Sequence, residues 1–338
     1  MSPRLSPDDD LIECETAPSD LTYFAFAHAP PVAVMPAGAP ATRASIGELP
    51  QVLAGRYRLE RLLGAGGMGA VFRARDLLHE QFGDPDPYLA VKILSEEFAE
   101  SPDASALLYS EFALTRHLRH ANVLRLHSFE VDTQCQRAFI TMELMRGLTL
   151  DKLLCERPLG LPWQEQCDIA LPLLEALAYA HARGVLHGDI KPSNVMLCEQ
   201  GVRLFDFGLG QAEAGELSGL PRLSRERFNA WTPGYAAPEL HDGAPLSASA
   251  DVYGVACVIY ELAGGKPPFR RLPSNQARDG QLERELHAPR RLPKRCWPVL
   301  RKALSFDPAQ RTVSALQLHD VLSSTSSWLQ RRAHRRNG

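Results

Sequence analysis

The chain has 338 residues, of which 45% are hydrophobic and 23% charged, a composition that excludes collagenous, wholly disordered and polytopic membrane proteins. Lysine and arginine number 37 and aspartate and glutamate 40, so a broad cationic face for nucleic acid is not expected. The seven cysteines include no CxxC pair, so the sequence indicates neither a disulfide framework nor a zinc site, and a reducing cytoplasm fits best.

The N-terminal segment, residues 1–54, is predicted to be a disordered acidic tail rich in proline and alanine. Residues 22–42 are uncharged, but they follow an acidic start and contain prolines that break any helix. They therefore predict neither a signal peptide nor a membrane span. A second interpretation stands beside the plain linker: Tyr23, Phe24 and Phe26 form a short docking motif for a partner or for the domain itself.

The first folded elements predicted are two antiparallel strands joined by a glycine-rich turn, in "YRLERLLGAGGMGAVFRARD". Gly64, Gly66 and Gly69 would let backbone amides approach phosphate oxygens closely. A dinucleotide-binding fingerprint would need a helix after the glycines, whereas "AVFRAR" alternates as a second strand does. The hairpin is therefore the preferred interpretation.

A third strand is predicted in "YLAVKILSEE", with Lys92 among its apolar residues. Taken alone, such a lysine usually lies on the solvated face of a strand. Glu111, however, follows 19 positions later in "SALLYSEFALTRHLRH", whose apolar spacing suits an amphipathic helix. A helix carboxylate would pair with Lys92 and orient its ammonium towards the α- and β-phosphates of a nucleotide.

The strongest signal is "HGDIKPSNVMLCEQGVRLFDFG", which predicts a loop, two short strands and a second acidic loop. Asp189 would position a hydroxyl nucleophile, and Lys191 would neutralise the transferred phosphate. Asn194 and Asp206 would supply hard oxygen ligands to Mg²⁺, with Mn²⁺ as a second candidate metal. Each residue alone could be an ordinary polar loop or strand end, but their conjunction indicates phosphoryl transfer.

Residues 55–322 resemble a eukaryotic-type protein kinase, and in detail the bacterial Hanks-type serine/threonine kinases. The signatures occur in the expected order: "GAGGMGAV", "AVK", Glu111, "HGDIKPSN", "DFG" and "APE". The resemblance implies an α+β bilobal fold, with a mostly β lobe at about 55–143 and a mostly α lobe at about 147–322. A basic C-terminal tail would follow at 323–338, where a solvated helix end is preferred over a contact with an acidic partner or a membrane surface.

The resemblance also implies residue roles. The cofactor-binding positions would be Gly64, Ala65, Gly66, Gly67, Met68, Gly69, Val71, Ala90, Lys92, Glu143, Met145 and Leu197. The catalytic positions would be Asp189, Lys191, Lys92 and Glu111, and the metal ligands Asn194 and Asp206. Met142 would be the gatekeeper before the hinge, Asp251 would anchor the catalytic loop, and Arg311 would pair with Glu239.

The family implies transfer of the γ-phosphate of ATP to serine or threonine hydroxyls of proteins, with autophosphorylation. The lysine two residues after Asp189 is the serine/threonine form of the loop, and Thr232 is positioned like the threonine that contacts both of those residues. Tyrosine kinases usually have a different sequence in this loop.

Two departures from the family stand in the same region. Gly188 replaces the usual arginine that grips an activation-loop phosphate, so phosphorylation is not expected to be an obligatory switch. The available loop hydroxyls are Ser218, Ser224 and Thr232. Trp231 replaces a usual glycine, which affects the shape of the acceptor groove.

Two alternatives to an active protein kinase remain open at this stage. One is an ATP-binding pseudokinase or scaffold; the other is a small-molecule phosphotransferase, which usually lacks the glycine loop, the Lys191 pattern and "APE". The resemblance further implies protein substrates and a role in signal transduction. A cognate metal-dependent Ser/Thr phosphatase and a homodimer formed through the β lobe are expectations at the level of the family.

Overall fold

The computed structural model describes residues 49–66, 69–94, 104–213, 219–220, 232–269 and 272–337, with side chains as far as residue 329. Within these ranges the strands are β1 (Val52–Leu53), β2 (Tyr57–Gly66), β3 (Gly69–Asp76), β4 (Tyr88–Leu94), β5 (Leu126–Asp132), β6 (Arg137–Met142), β7 (Gly147–Thr149), β8 (Val185–Leu186), β9 (Val195–Cys198), β10 (Gly201–Leu204) and β11 (Gln211–Ala212).

Helices dominate the second half of the described chain. They are α1 (Leu77–Gln81), α2 (Ala104–Arg116), α3 (Leu150–Cys155), α4 (Trp163–His181), α5 (Pro238–His241), α6 (Ala248–Gly264), α7 (Ser274–Asp279), α8 (Trp297–Ala303) and α9 (Ala315–Asn337), with 3₁₀ turns at Pro192–Asn194 and Leu282–Glu285. None of the helices in the described ranges is both long and apolar enough to cross a bilayer.

The N-terminal lobe is a six-stranded antiparallel sheet in the order β1-β2-β3-β4-β6-β5. The predicted glycine-rich hairpin is confirmed, because β2 and β3 pair with Gly64 opposite Val71 and Gly66 opposite Gly69. One face of the sheet packs against α2 through Leu108 and Phe112. The arrangement places Lys92, on β4, beneath the carboxylate that α2 carries.

The C-terminal lobe is built around α6, which is buried on nearly all sides, as expected for an apolar helix at the centre of a domain. Two small sheets, β10-β9-β7 and β11-β8, pack against the core of this lobe. The β9–β10 hairpin supplies Asn194 just before its first strand, and Asp206 follows its second strand. The two predicted metal ligands therefore lie at the same end of one hairpin.

The segment between β3 and β4 contains the short helix α1, which the sequence analysis did not predict. Asp76 caps this helix by accepting hydrogen bonds from the backbone N–H groups of Leu78 and His79. The guanidinium of Arg56 holds the same carboxylate at 2.6 Å. An aspartate before "LLHE" is a helix-start signal, and the prediction overlooked it.

The ordered fold extends past both predicted domain boundaries. β1 precedes the predicted start at residue 55 and pairs with β2, because its backbone groups complete the sheet edge. α9 crosses residue 322 as one continuous helix to Asn337. Residues 1–48, and with them most of the predicted acidic tail, lie outside the described part of the chain.

Gly265 offers a test of the packing between the α3–α4 connection and α6. It ends α6 with a φ of 74°, and a Cβ built there would lie 2.1 Å from the carbonyl oxygen of Pro158. Gly243 has a similar φ of 85° but no neighbouring atom within 4 Å. Gly265→Ala should therefore reduce the free energy of unfolding by at least about 2 kcal/mol more than Gly243→Ala, because both add backbone strain but only the first adds a clash.

Urea denaturation of the two variants measures this difference directly. Equal losses of stability would show that Gly265 does not pack against Pro158 in solution.

Candidate active site

A buried ion cluster joins three elements at the boundary between the lobes. The Lys92 Nζ donates to Glu111 Oε1 at 2.7 Å and Oε2 at 2.8 Å, and to Asp206 Oδ1 at 3.0 Å. The side chains of Lys92 and Glu111 are only 10% and 11% exposed. The structure therefore brings together the strand lysine, the helix carboxylate and the acidic loop that the sequence placed far apart.

The charges of this cluster depend on one another. Burial opposes the charge of Lys92, but the carboxylates of Asp206 and Glu111 outweigh it and hold the pKa of Lys92 above its ordinary value. Burial also opposes ionisation of Asp206, yet the charge and hydrogen bond of Lys92 bring the pKa of that carboxyl below its ordinary value. For Glu111 burial prevails, and its pKa is raised. The ammonium is therefore present across the neutral pH range.

Asp189 is held by three donors around its carboxylate. Its Oδ1 accepts from Thr232 Oγ1 at 2.9 Å, and its Oδ2 accepts from Asn194 Nδ2 at 3.0 Å and lies 2.8 Å from Lys191 Nζ. Lys191 Nζ also donates to Thr232 Oγ1 at 2.9 Å. The predicted contacts of Thr232 with Asp189 and Lys191 are confirmed.

Asn194 has the free oxygen that a metal ligand needs. Its Nδ2 donates to the backbone oxygen and to the carboxylate of Asp189. Its Oδ1 is buried and has no hydrogen-bond partner among the described residues. Burying an amide oxygen without a hydrogen-bond donor costs free energy unless a cation or a water molecule binds it. Mg²⁺ prefers hard oxygen ligands of this kind. The backbone N–H of Phe205 donates to the Asn194 carbonyl, which places Asp206 beside it.

The catalytic loop is anchored from below by Asp251, as predicted. This buried carboxylate accepts the backbone N–H groups of His187 and Gly188, both at 2.8 Å, and lies 2.9 Å from the His181 Nε2. Burial opposes ionisation of Asp251, but the hydrogen bond and charge of His181 and the contacts with His187 bring its pKa below the ordinary value.

His187 connects the "HGD" loop to the "DFG" loop, a role that the sequence analysis did not assign. Its Nδ1 accepts the backbone N–H of Asp189 at 3.1 Å, so its Nε2 carries the proton and donates to the Phe205 carbonyl at 3.1 Å. A histidine two residues before Asp189 was the available signal. No sequence signal pointed to His181, because 70 positions separate it from Asp251.

A second buried ion pair, Arg311–Glu239, is confirmed as predicted. Arg311 donates to Glu239 Oε1 at 2.7 Å and Oε2 at 3.2 Å, and also to the Ser305 carbonyl. The pair fixes the "APE" segment against the end of the C-terminal lobe, so its role is structural.

Some of the positions predicted to bind nucleotide lie close together in the fold. Val71 and Ala90 are buried in the same core as Met142, and Ala90 pairs with Met142 across β4 and β6. Leu197, on β9, is partly buried against the core of the C-terminal lobe. The hinge that begins at Glu143 is fixed by its backbone N–H, which donates to the Arg125 carbonyl at 3.0 Å.

Gly69 has a structural requirement that the sequence analysis missed. A Cβ there would lie 2.2 Å from the Ile93 carbonyl oxygen on β4, so only glycine fits at this point of the sheet. Of the remaining predicted positions, Gly64, Ala65 and Gly66 lie on β2, and Met145 borders the N-terminal core. Those outside the described residues are Gly67, Met68, Ser218, Ser224 and Trp231.

Comparison with known proteins agrees with this geometry. The sequence matches the family described as "Protein kinase domain" over residues 57–322. The chain therefore belongs to the protein kinase family, and its fold is the bilobal α+β fold of that family.

Similar proteins come from bacteria. Serine/threonine-protein kinase PkaA of Streptomyces coelicolor is 32% identical over 265 residues, which are 76% of this chain and 47% of that protein. Probable serine/threonine-protein kinase PknB of Corynebacterium glutamicum is 34% identical over 221 residues, 64% of this chain and 33% of that protein. The chain thus spans half or less of the length of these curated relatives. The solved PknI kinase domain of Mycobacterium tuberculosis is 28% identical, with a TM-score of 0.60 over 82% of this chain and 97% of that one.

Asp251→Asn tests the anchor of the catalytic loop. An amide keeps one acceptor oxygen but turns an NH₂ group towards a backbone N–H, so the free energy of unfolding near pH 7 should fall by roughly 2–4 kcal/mol. Because the folded pKa of Asp251 is lowered, its carboxylate stabilises the fold fully above the ordinary aspartate pKa of about 4. That contribution is lost as the pH falls through the still lower folded value.

The stability gap between the parent and Asp251→Asn should therefore narrow below about pH 4, as measured by urea unfolding at a series of pH values. Asp279→Asn, at a side chain that is 70% exposed, is the matched control and should show almost no gap at any pH. A constant gap for Asp251→Asn would contradict the account.

Proposed function

We propose that this chain is an active serine/threonine protein kinase that transfers the γ-phosphate of ATP to protein hydroxyls and phosphorylates itself. The observation that carries the proposal is the arrangement around Asp189, whose carboxylate is oriented by Asn194 and Thr232 while Lys191 lies 2.8 Å away. A base and a cation held side by side, next to a separate buried lysine for the other phosphates, suit in-line phosphoryl transfer.

In this mechanism the chain acts mainly by positioning and electrostatics. Lys92, held by Glu111, binds the α- and β-phosphates of ATP. Asp189 accepts a hydrogen bond from the acceptor hydroxyl and orients it towards the γ-phosphate. Lys191 stabilises the negative charge that develops on the transferred group.

The metal that the family uses would be held by Asn194 and Asp206. Bound there, Mg²⁺ or Mn²⁺ would neutralise phosphate charge, which is the chemistry that these oxygen donors fit. Support for this assignment comes from the buried Asn194 Oδ1, which has no other partner among the described residues.

The two alternatives fit the site less well. A pseudokinase has no need of Lys92, Asp189 and Asp206 together, yet all three are held here by specific hydrogen bonds. The small-molecule phosphotransferase is disfavoured by the Lys191–Thr232 contact and by the Glu239–Arg311 pair, which belong to a protein-acceptor segment.

Asp189→Asn should reduce the rate of transfer about 100-fold or more while leaving ATP affinity within about twofold, because the amide cannot accept the hydroxyl proton. The measurement is a transfer assay with labelled ATP, Mg²⁺ and a generic protein acceptor, with phosphoamino acid analysis of the product. Label is expected on serine and threonine.

Asp168→Asn is the matched control for that assay, since Asp168 is an exposed aspartate on α4. It should leave the rate unchanged. Substantial transfer by Asp189→Asn, or labelled tyrosine as the main product, would overturn the proposed function.

A kinase without the usual loop arginine should not depend on activation-loop phosphate. Gly188 has a φ of 81°, and a Cβ there would lie 2.8 Å from the Leu209 carbonyl oxygen, so a larger residue would not fit without movement. The combined variant Ser218→Ala with Ser224→Ala should therefore keep its transfer rate within about twofold of the parent.

That result is checked on protein freed of phosphate by a phosphatase before the assay. A large loss of rate in the double variant, restored by acidic residues at the same positions, would show that the loop is a switch after all.

A cytoplasmic location is supported by the need for ATP and by six cysteines without a disulfide partner in the described ranges. We expect protein substrates within a signalling pathway. A cognate metal-dependent phosphatase and a homodimer stay proposals that rest on the family alone.

A further inference from the structure

An apolar surface lies exposed on the outer side of α2 and β5. Tyr109 and Val131 are 45% and 48% exposed, and they lie on two elements that pack against each other. The Tyr109 ring packs edge-on against Phe129 at 5.3 Å, and Val131 lies two residues along the same strand, on the same face. We call the surface formed by Tyr109, Phe129 and Val131 the α2–β5 surface.

Exposed arginines border this surface. Arg116, one helical turn beyond Phe112, lies 5.2 Å over the Phe112 ring, which itself contacts Tyr109 and Phe129. Arg116 and the nearby Arg119 are exposed, and neither has a carboxylate within 4.0 Å in the described part of the chain. Residues 112–129 contain three arginines and three histidines and no acid. The occupant of this surface should therefore combine aromatic side chains with negative charge.

Residues 8–26 of this same chain have that chemistry. They carry six acids and no lysine or arginine, and the acids are followed by the aromatic residues Tyr23, Phe24 and Phe26. The function proposed above uses none of them.

The first described residues lie within reach of the α2–β5 surface. The backbone N–H of Ala54 donates to the Asp132 carboxylate at 2.7 Å, so the first described residues are fixed against the edge strand β5, on the face opposite to Val131. Residues 27–48 can span roughly 70 Å when extended, far more than the distance around one sheet edge requires.

A competing apolar surface lies on α1, where the nearby charges are already paired. Phe82 is 82% exposed and Leu78 43%, and the neighbouring acids Glu80, Asp84 and Asp86 pair with Arg75, His79 and Arg146. Arg75 and Arg146 therefore attract an acidic segment less strongly than Arg116 and Arg119 do. Charge therefore selects the α2–β5 surface over the more exposed one.

We propose that residues 8–26 dock in cis on the α2–β5 surface, with Tyr23, Phe24 and Phe26 against Tyr109 and Val131 and the acids facing Arg116 and Arg119. Docking holds α2 in place, and α2 carries Glu111, the partner of Lys92. An effect of this docking on the Lys92–Glu111 pair, and through it on phosphate transfer, rests on the proposed kinase function. The docking itself does not rest on that function.

Hydrogen–deuterium exchange of the full chain, read by mass spectrometry without ATP, tests the docking. The amides of residues 21–26 should exchange at least about tenfold more slowly in the parent than in Val131→Lys or in Arg116→Glu with Arg119→Glu. The replacement of Tyr23, Phe24 and Phe26 by serine should in turn speed exchange in residues 104–116. Higher salt should weaken the protection.

Leu159→Ser is the matched control, since Leu159 is 75% exposed on the other lobe and should leave the protection unchanged. Each variant is checked by thermal unfolding, so that loss of protection is not loss of the fold. Unprotected amides at 21–26 in the parent, or protection that survives both surface variants, would overturn the proposal. Protection that disappears on dilution would also overturn it, because the contact would then join two copies.

Because the exchange measurement needs neither ATP nor an acceptor, its outcome is independent of the transfer assay. If residues 21–26 were protected in a chain that transfers no phosphate, the result would contradict the proposed function but would support the docking.

Discussion

The contact on which the active arrangement depends is the buried cluster of Lys92, Glu111 and Asp206. Its members come from the sheet, from α2 and from the loop after β10, so the lobes must be correctly placed for it to form. Each charge is expensive to bury alone and is stable only because the others are present. A Cβ at Gly208 would lie 3.2 Å from Asp206 Oδ1 and 3.4 Å from Glu111 Oε2, so glycine keeps space for the two carboxylates.

A second set of buried polar contacts supports the first from the C-terminal lobe. Asp251, on the central helix α6, fixes the backbone before Asp189, and His187 connects that backbone to the carbonyl just before Asp206. The carboxylate proposed to orient the acceptor hydroxyl and the loop proposed to bind metal are therefore held by one network of buried hydrogen bonds. Such preorganisation is what phosphoryl transfer demands, since the protein contributes geometry and charge more than covalent chemistry.

Much of this could be predicted from the sequence, because local patterns carry it. Alternation around the glycines predicted the β2–β3 hairpin, and the apolar spacing near Glu111 predicted α2. The order of the short motifs predicted the family. The partner of Asp251 could not be predicted, because no pattern links positions 181 and 251, and the need for glycine at 69 appears only when β4 lies beside it. α1 was missed for another reason: its capping aspartate is a readable signal, but five residues are too few for a helical period.

The central claim is that Lys92 and Glu111 act as one unit in phosphoryl transfer. A double-mutant cycle with Lys92→Met, Glu111→Gln and the combined variant, followed by single-turnover transfer at saturating ATP, tests it most directly. The account predicts that each single variant loses about 100-fold or more in rate and that the combined variant is no slower than the worse of the two. Strictly multiplicative losses, or a Glu111→Gln variant with nearly full activity, would contradict it.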